Sequence, residues 1–201
     1  MVALLYPALR NAIHHARPAA PIYQCFSTTQ QKSIEWVWDD LKIEMRQQLY
    51  WVKNAFTLSW LDYQCQQEPI RYGYLPGKDQ IKGKLGRRGA YWYGEQNAAD
   101  VFFVDRPNVN REHPTMKPVD LIRPMIKNSC KPGEIVADPF AGSGSTLVAA
   151  HLENRRAYLI ELAPEYCDVI CRRYQKLTGQ HPINQTTGEP HDFTTQEETD
   201  E

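Results

Sequence analysis

No run of 18 consecutive apolar residues occurs in the 201-residue chain, so no helical membrane span is expected. The N-terminus lacks the basic start of a secretory signal, its apolar run is short, and Pro7 interrupts it. No Cys-x-x-Cys pair occurs among the five cysteines at 25, 65, 130, 167 and 171. An odd count without a signal segment points to reduced thiols in a cytosol. Cys167 and Cys171 share a helix face, but no helical His completes a zinc set, so helix packing is expected there rather than a metal. No Gly-Lys-Ser/Thr follows a glycine turn, which excludes a P-loop, and there is no internal repeat.

Positive charge is missing from the C-terminal end. Residues 185–201 hold six acids and no Lys or Arg, so the net charge of −1 divides into −6 there and +5 over residues 1–184. That tail is polar and aperiodic and is expected to be disordered. The body, 42% apolar and 11% aromatic over the whole chain, has the composition of one globular domain with a mildly basic surface. Such a surface permits nucleic-acid binding without requiring it.

Alternating strand and helix patterns fill the body. Leu5, Leu9 and Ile13 mark a helix over 4–16, and residues 22–26 read as a strand. Ser27, Thr28 and Thr29 offer N-caps for a helix over 30–43, whose apolar face is Ile34, Val37, Trp38 and Leu41. Strands follow at 48–53, 69–75 and 101–104, a helix at 118–128, a strand at 135–140, a helix at 145–153, a strand at 157–162 and a helix at 164–177 capped by Gly179. The pattern predicts a three-layer α/β sandwich on a largely parallel sheet.

Residues 76–100 break the pattern. Lys78, Lys82, Lys84, Arg87 and Arg88 outnumber Asp79 and Glu95, four glycines loosen the backbone, and Tyr91-Trp92-Tyr93 adds aromatics. A loop of this kind can track phosphates and stack on bases. The same composition also describes a solvated hairpin.

The most specific run is Asp138-Pro139-Phe140-Ala141-Gly142-Ser143-Gly144-Ser145-Thr146, set between the apolar Ile135-Val136-Ala137 and Leu147-Val148-Ala149-Ala150. It reads as strand, glycine turn and helix start, where backbone N–H groups face a ligand. Glu161 ends the next strand, 23 residues past Asp138, at a spacing that lets a carboxylate accept from ribose hydroxyls. A nicotinamide cofactor would use the same spacing. Against it stand Leu147 in place of a third glycine and Phe140 ahead of the pair. Upstream lies His113-Pro114-Thr115-Met116-Lys117-Pro118, with Pro118 placed to open a helix.

Together these two runs resemble the S-adenosylmethionine-binding half of DNA methyltransferases that modify exocyclic amino groups, N6 of adenine or N4 of cytosine. The resemblance covers roughly residues 5–179 and is strongest over 105–177. It implies a Rossmann-like methyltransferase fold, S-adenosylmethionine as cofactor, DNA as partner, no metal and no membrane, in a bacterial or phage modification system. It implies that Asp138 holds the cofactor's amino-acid part, that Phe140 packs beside it, that Gly142 and Gly144 admit it closely, and that Glu161 binds the ribose. Thr115 and Lys117 would lie near the methionine carboxylate. Lys82, Lys84, Arg87, Arg88, Tyr91 and Tyr72 would face DNA. Read without the family, Asp138 is a strand-end cap and Lys117 a solvated surface residue.

Members of that family carry Asp-Pro-Pro-Tyr or a close variant, whose acid polarises the target amine and whose ring stacks on the flipped base. No Pro-Pro occurs in this chain. In the β-class order, with the catalytic half first, that motif lies upstream of residue 1, and one or two sheet strands go with it. Two strand edges are then expected to lack partners, at about 1–3 kcal/mol for each unpaired buried backbone group, unless a second chain or a preceding segment supplies the strand. The alternatives are a split or truncated module that binds cofactor or DNA without methylating unaided, and a Rossmann-type enzyme of a small molecule. The basic aromatic loop and the His113–Pro118 run argue against the last.

Overall fold

The computed structural model describes residues 2–58, 60–77, 89, 91–106 and 116–193. The chain divides into two units: residues 1–106 with 124–131, and residues 107–123 with 132–201.

In the first unit, helix α1 (Val2–His15) and strand β1 (Pro21–Cys25) precede helix α2 (Gln31–Asp40), strand β2 (Glu44–Thr57), strand β3 (Cys65–Tyr74) and strand β4 (Val101–Phe103). Apolar residues recur on one face of each helix, and burying those faces together makes the core. Leu5 and Leu9 of α1 join Ile34, Val37 and Trp38 of α2 with Phe26, Ile43 and Leu75. The expected caps of α2 instead form a 3-10 turn at Thr28–Gln30, and the Ser27 hydroxyl bonds Thr29 Oγ1 rather than the backbone.

The sheet runs β1-β3-β2-β4. β3 is antiparallel to both β1 and β2, while β4 is parallel to β2. This departs from the largely parallel sheet expected from the alternating pattern. β2 and β3 form a hairpin, whose short connection forces antiparallel pairing, and β3 then enters between two strands that follow the α/β order. Its inner half, Pro69–Tyr74, is buried throughout, as a central strand covered on both faces must be. Gly73 fits this crowding, since a Cβ there would run into the Glu44 carbonyl and the Trp38 ring. Arg71, also buried, reaches Glu35 Oε1 at 2.7 Å and lies over the Trp38 ring.

Helix α3 (Val119–Ser129) contributes its first turn to the second unit and the residues from Pro124 onward to the first. The second unit continues with strand β5 (Ile135–Asp138), helix α4 (Ser145–Leu152), strand β6 (Arg156–Leu159) and helix α5 (Pro164–Thr178). β5 and β6 pair in parallel from Ile135↔Arg156 to Asp138↔Leu159, with α4 as the crossover. Gly179 takes φ +71° and its N–H closes α5 on the Gln175 carbonyl, the C-cap its position predicts. Among the described residues β5 pairs with β6 alone and β1 with β3 alone.

The segment expected to be disordered from residue 185 is ordered as far as 193. Asn184 anchors a turn, Ile183 bridges Pro190, and the Gln175 side chain holds Asp192 Oδ1 and the Phe193 N–H. An acidic composition did not prevent order because one buried amide supplies two partners for the returning chain. Residues 194–201 lie outside the described residues.

Candidate functional site

The glycine turn leaves β5 at Asp138 and enters α4 at Ser145. Gly142 has φ +53° and Gly144 φ +79°, left-handed values that glycine adopts at little cost. Gly144 is also pressed from below, since a Cβ there would lie 2.9 Å from Ile170 Cγ1 of α5. The turn closes through the Gly144 N–H to the Ala141 carbonyl at 2.9 Å, and Ala141 N–H reaches the Ile160 carbonyl at 3.0 Å.

Two carboxylates at the ends of the paired strands hold this loop. Asp138 Oδ1 accepts from the Phe140 N–H at 2.9 Å, and Oδ2 accepts from Thr146 Oγ1 at 2.6 Å. Glu161 Oε2 accepts from the Gly142 N–H at 2.7 Å, while Oε1 accepts from the N–H groups of Leu162 and Ala163 at 2.8 and 3.0 Å. Asp138 therefore does act as a strand-end cap, and its charge faces the start of α4, where the helix dipole favours it. A carboxylate has about four lone-pair sites, so both acids keep acceptor capacity beyond these bonds. Phe140 stands half-exposed at the lip of the turn.

Sequence reasoning missed the residue that fastens the loop from the other side. Arg173 of α5 donates through Nη1 to the Ser143 carbonyl at 2.7 Å and lies 3.1 Å from Ser143 Oγ and 3.4 Å from Ser145 Oγ. The same nitrogen lies 3.4 Å from Met116 Sδ. One guanidinium thus ties the segment entering α3 to the glycine turn, which places the two sequence runs side by side within one unit. Ser143 and Ser145 are buried beneath it. A signal was present: Ile170 and Arg173 are spaced i, i+3, so the residue under Gly144 and the clasp share one helix face.

Lys117 is half-buried beside Met116, and Thr115 lies outside the described residues. The Cys167 thiol, 3.8 Å from the Glu161 carbonyl, is held above its ordinary pKa by burial and then by the Glu161 carboxylate. Burial also raises the Cys171 thiol. Among the described residues no cluster of three or more His, Cys, Asp or Glu is placed to hold a metal, and no helix is long and apolar enough to cross a membrane.

The expected DNA-facing residues divide three ways. Lys82, Lys84, Arg87 and Arg88 lie outside the described residues. Tyr91 is half-buried, with the Arg17 guanidinium 3.8 Å above its ring. Tyr72 requires correction, because it is buried in the first unit. Its ring stacks on Tyr23 at 4.7 Å, its hydroxyl meets Tyr74 at 2.7 Å, and Tyr23 continues the chain to Ser129 Oγ at 2.7 Å. Tyrosine suits both a base-stacking surface and a wet-edged core, and the central position of β3 decides for the core.

A glycine turn between a parallel strand and a helix, faced by a carboxylate on the next strand, defines the cofactor half of an α/β nucleotide-cofactor protein. The DNA methylase family model matches residues 9–172, and the chain belongs to that family. It is similar to the type II methyltransferase M.XycI of Xanthomonas campestris pv. cyanopsidis, 40% identical over 133 residues that make up 65% of this chain and 44% of that protein. It is also similar to the type II methyltransferase M.Cfr9I of Citrobacter freundii, 42% identical over 82 residues, 41% of this chain and 27% of that protein. The chain thus spans less than half the length of these curated relatives. Among solved structures, the M1.HpyAVI–SAM complex superposes with a TM-score of 0.69 at 20% identity, covering 86% of this chain and 82% of that one, a likeness of fold.

Proposed function

We propose that this chain works in an S-adenosylmethionine-dependent DNA methyltransferase that methylates an exocyclic amino group, N6 of adenine or N4 of cytosine. The observation that carries the reading is the pair of strand-end carboxylates, Asp138 and Glu161, closing on one left-handed glycine turn. Family membership and the fold of the SAM-bound neighbour support it.

The residues present fit such a cofactor. Glu161 has acceptor capacity left for ribose hydroxyls, Phe140 offers a half-exposed ring, and the turn presents main chain with no Cβ at Gly142 and Gly144. Asp138, Thr115 and Lys117 would hold the amino-acid end. When bound, the cofactor supplies an electrophilic methyl group on a sulfonium. The chain's own part is to fix its position in a preorganised site. DNA would be met by Lys82, Lys84, Arg87, Arg88 and Tyr91, whose charges suit a phosphate backbone.

A second reading has its own support. The sequence contains no Pro-Pro, and β1 and β5 each have a single strand partner among the described residues. The amine-polarising acid would then come from a further segment or a second chain, and this chain alone would bind cofactor or DNA without transfer. The test is calorimetric titration with S-adenosylmethionine together with transfer of a labelled methyl group to unmethylated DNA. Binding with transfer supports the first reading, and binding without transfer selects the second. Failure to bind, or undiminished binding by Asp138→Ala, overturns the site.

A further inference from the structure

The outer half of the β2–β3 hairpin projects beyond its own sheet. β4 pairs with β2 only at Tyr50–Val52, and β1 pairs with β3 only at Ile70–Tyr74. From Lys53 to Glu68 the two strands have only each other, and even that pairing shifts register between Val52 and Thr57. A two-stranded ribbon of this kind is marginal in water without something packed on it.

Its tip is apolar and uncovered. Phe56 is 55% exposed, Leu58 83%, Trp60 106%, Leu61 56% and Tyr63 90%. Other exposed apolar residues of the first unit, such as Leu4, Met45 and Phe103, are spread over separate elements. From side-chain areas of roughly 150–250 Å² per aromatic, the tip presents on the order of 800 Å², more than a monomer's surface normally leaves in one patch. That is about one partner's share of a standard interface, ~800 Å² per side.

Charge decides what would cover it. Between Lys53 and Glu68 the one formal charge is Asp62, and Lys53 is itself engaged by Glu68 at 2.7 Å. With no cation at the tip, a phosphate backbone finds no partner there. A two-fold contact puts the same patch on both copies, so it needs an apolar surface with little charge of its own. Trp and Tyr are the residues that dominate such contacts.

We propose that the hairpin tip, Phe56 to Tyr63, is a homodimer contact in which two copies of this chain pack tip to tip around Leu58 and Trp60. The proposal stands apart from the reading of the cofactor site. Each tip covers the other's aromatic surface and gives the projecting ribbon a second layer.

Sedimentation velocity of the full chain across the micromolar range tests it. A concentration-dependent monomer–dimer equilibrium is expected. Trp60→Ser and Leu58→Ser should each weaken it by about 10-fold or more, the effect of truncating an interface anchor, while Phe103→Ser on β4 leaves it unchanged. Because the tip side chains are exposed, circular dichroism and the melting midpoint should not move, which separates lost association from lost folding. A monomer throughout the range, or a dimer indifferent to both tip variants, overturns the proposal. So does a tip variant that loses DNA affinity at an unchanged oligomeric state, which would assign the aromatics to bases instead.

Discussion

Replacing Arg173 by Met isolates the clasp on the glycine turn. Met keeps much of the side chain's apolar length and removes the donors and the charge. The strongest contact is Nη1 to the Ser143 carbonyl at 2.7 Å; the hydroxyls of Ser143 and Ser145, at 3.1 and 3.4 Å, can rotate to other partners. The variant therefore loses one charge-assisted bond and leaves one acceptor on a buried serine, worth about 1.5–3 kcal/mol. That energy belongs to the turn rather than to the chain as a whole. With two units, a single melting midpoint is a poor reporter. Amide hydrogen exchange of residues 141–146 is the direct assay, since about 2 kcal/mol of local stability appears as roughly 30-fold faster exchange. Arg173→Lys, which keeps the charge but presents it as a point rather than a fork, should fall between wild type and Met. Exchange of the turn unchanged within about threefold in Arg173→Met would refute the clasp and leave the guanidinium a bystander.

Gly144→Ala forces a Cβ into a left-handed residue, at about 1–2 kcal/mol, and drives it to 2.9 Å from Ile170 Cγ1. S-adenosylmethionine affinity, followed by calorimetry, should fall at least 10-fold, and an unchanged affinity would show that the turn tolerates a side chain. Burial pushes the Tyr23 and Tyr72 phenols above their ordinary value, so the folded protein keeps them neutral where the unfolded chain ionises. Their contribution is complete below a pH of about 10 and is lost as pH rises beyond it. Absorbance titration at alkaline pH should therefore show these two of the 11 tyrosines ionising only with unfolding, and all 11 titrating together in an intact fold would contradict the buried network. Cys167 and Cys171 have thiols raised chiefly by burial, whereas Cys25 and Cys65 are exposed. Maleimide at mildly alkaline pH should label Cys25 and Cys65 first, with mass spectrometry of the digest as readout, and equal rates at all four would contradict the packing of α5.

The cofactor half was legible in the sequence because its signals are local. A left-handed glycine, a strand-end acid and a helix start are set by neighbours a few residues apart, and Asp138, Gly144 and Glu161 stand where the spacing puts them. The helices were legible for the same reason, since a 3.6-residue stripe such as Ile34, Val37 and Trp38 is written within one element. What escaped was set at long range. The direction of β3 depends on the hairpin taking precedence over the α/β alternation. The burial of Tyr72 depends on β3 becoming central, a fact of sheet order that no window around residue 72 contains. Arg173 reaches a residue 30 positions away, and the order of 185–193 rests on Gln175 of α5.

The two readings of Asp138, cap and ligand holder, turn out to be one arrangement. Its two oxygens fix Phe140 and Thr146 on either side of the glycines, so the acid sets the path of the turn. Glu161 fixes Gly142 from the neighbouring strand. A turn held by two carboxylates would be dominated by negative charge if nothing answered it. Arg173 enters from α5 at the far side and bonds the Ser143 carbonyl between the two glycines. The cation is therefore placed behind the loop, while the acids' remaining acceptor capacity stays available for hydroxyl and ammonium donors. That polarity matches a ligand carrying ribose hydroxyls and an amino-acid end, and it is poorly suited to a polyphosphate, which would need the cation and the N–H groups on its own side.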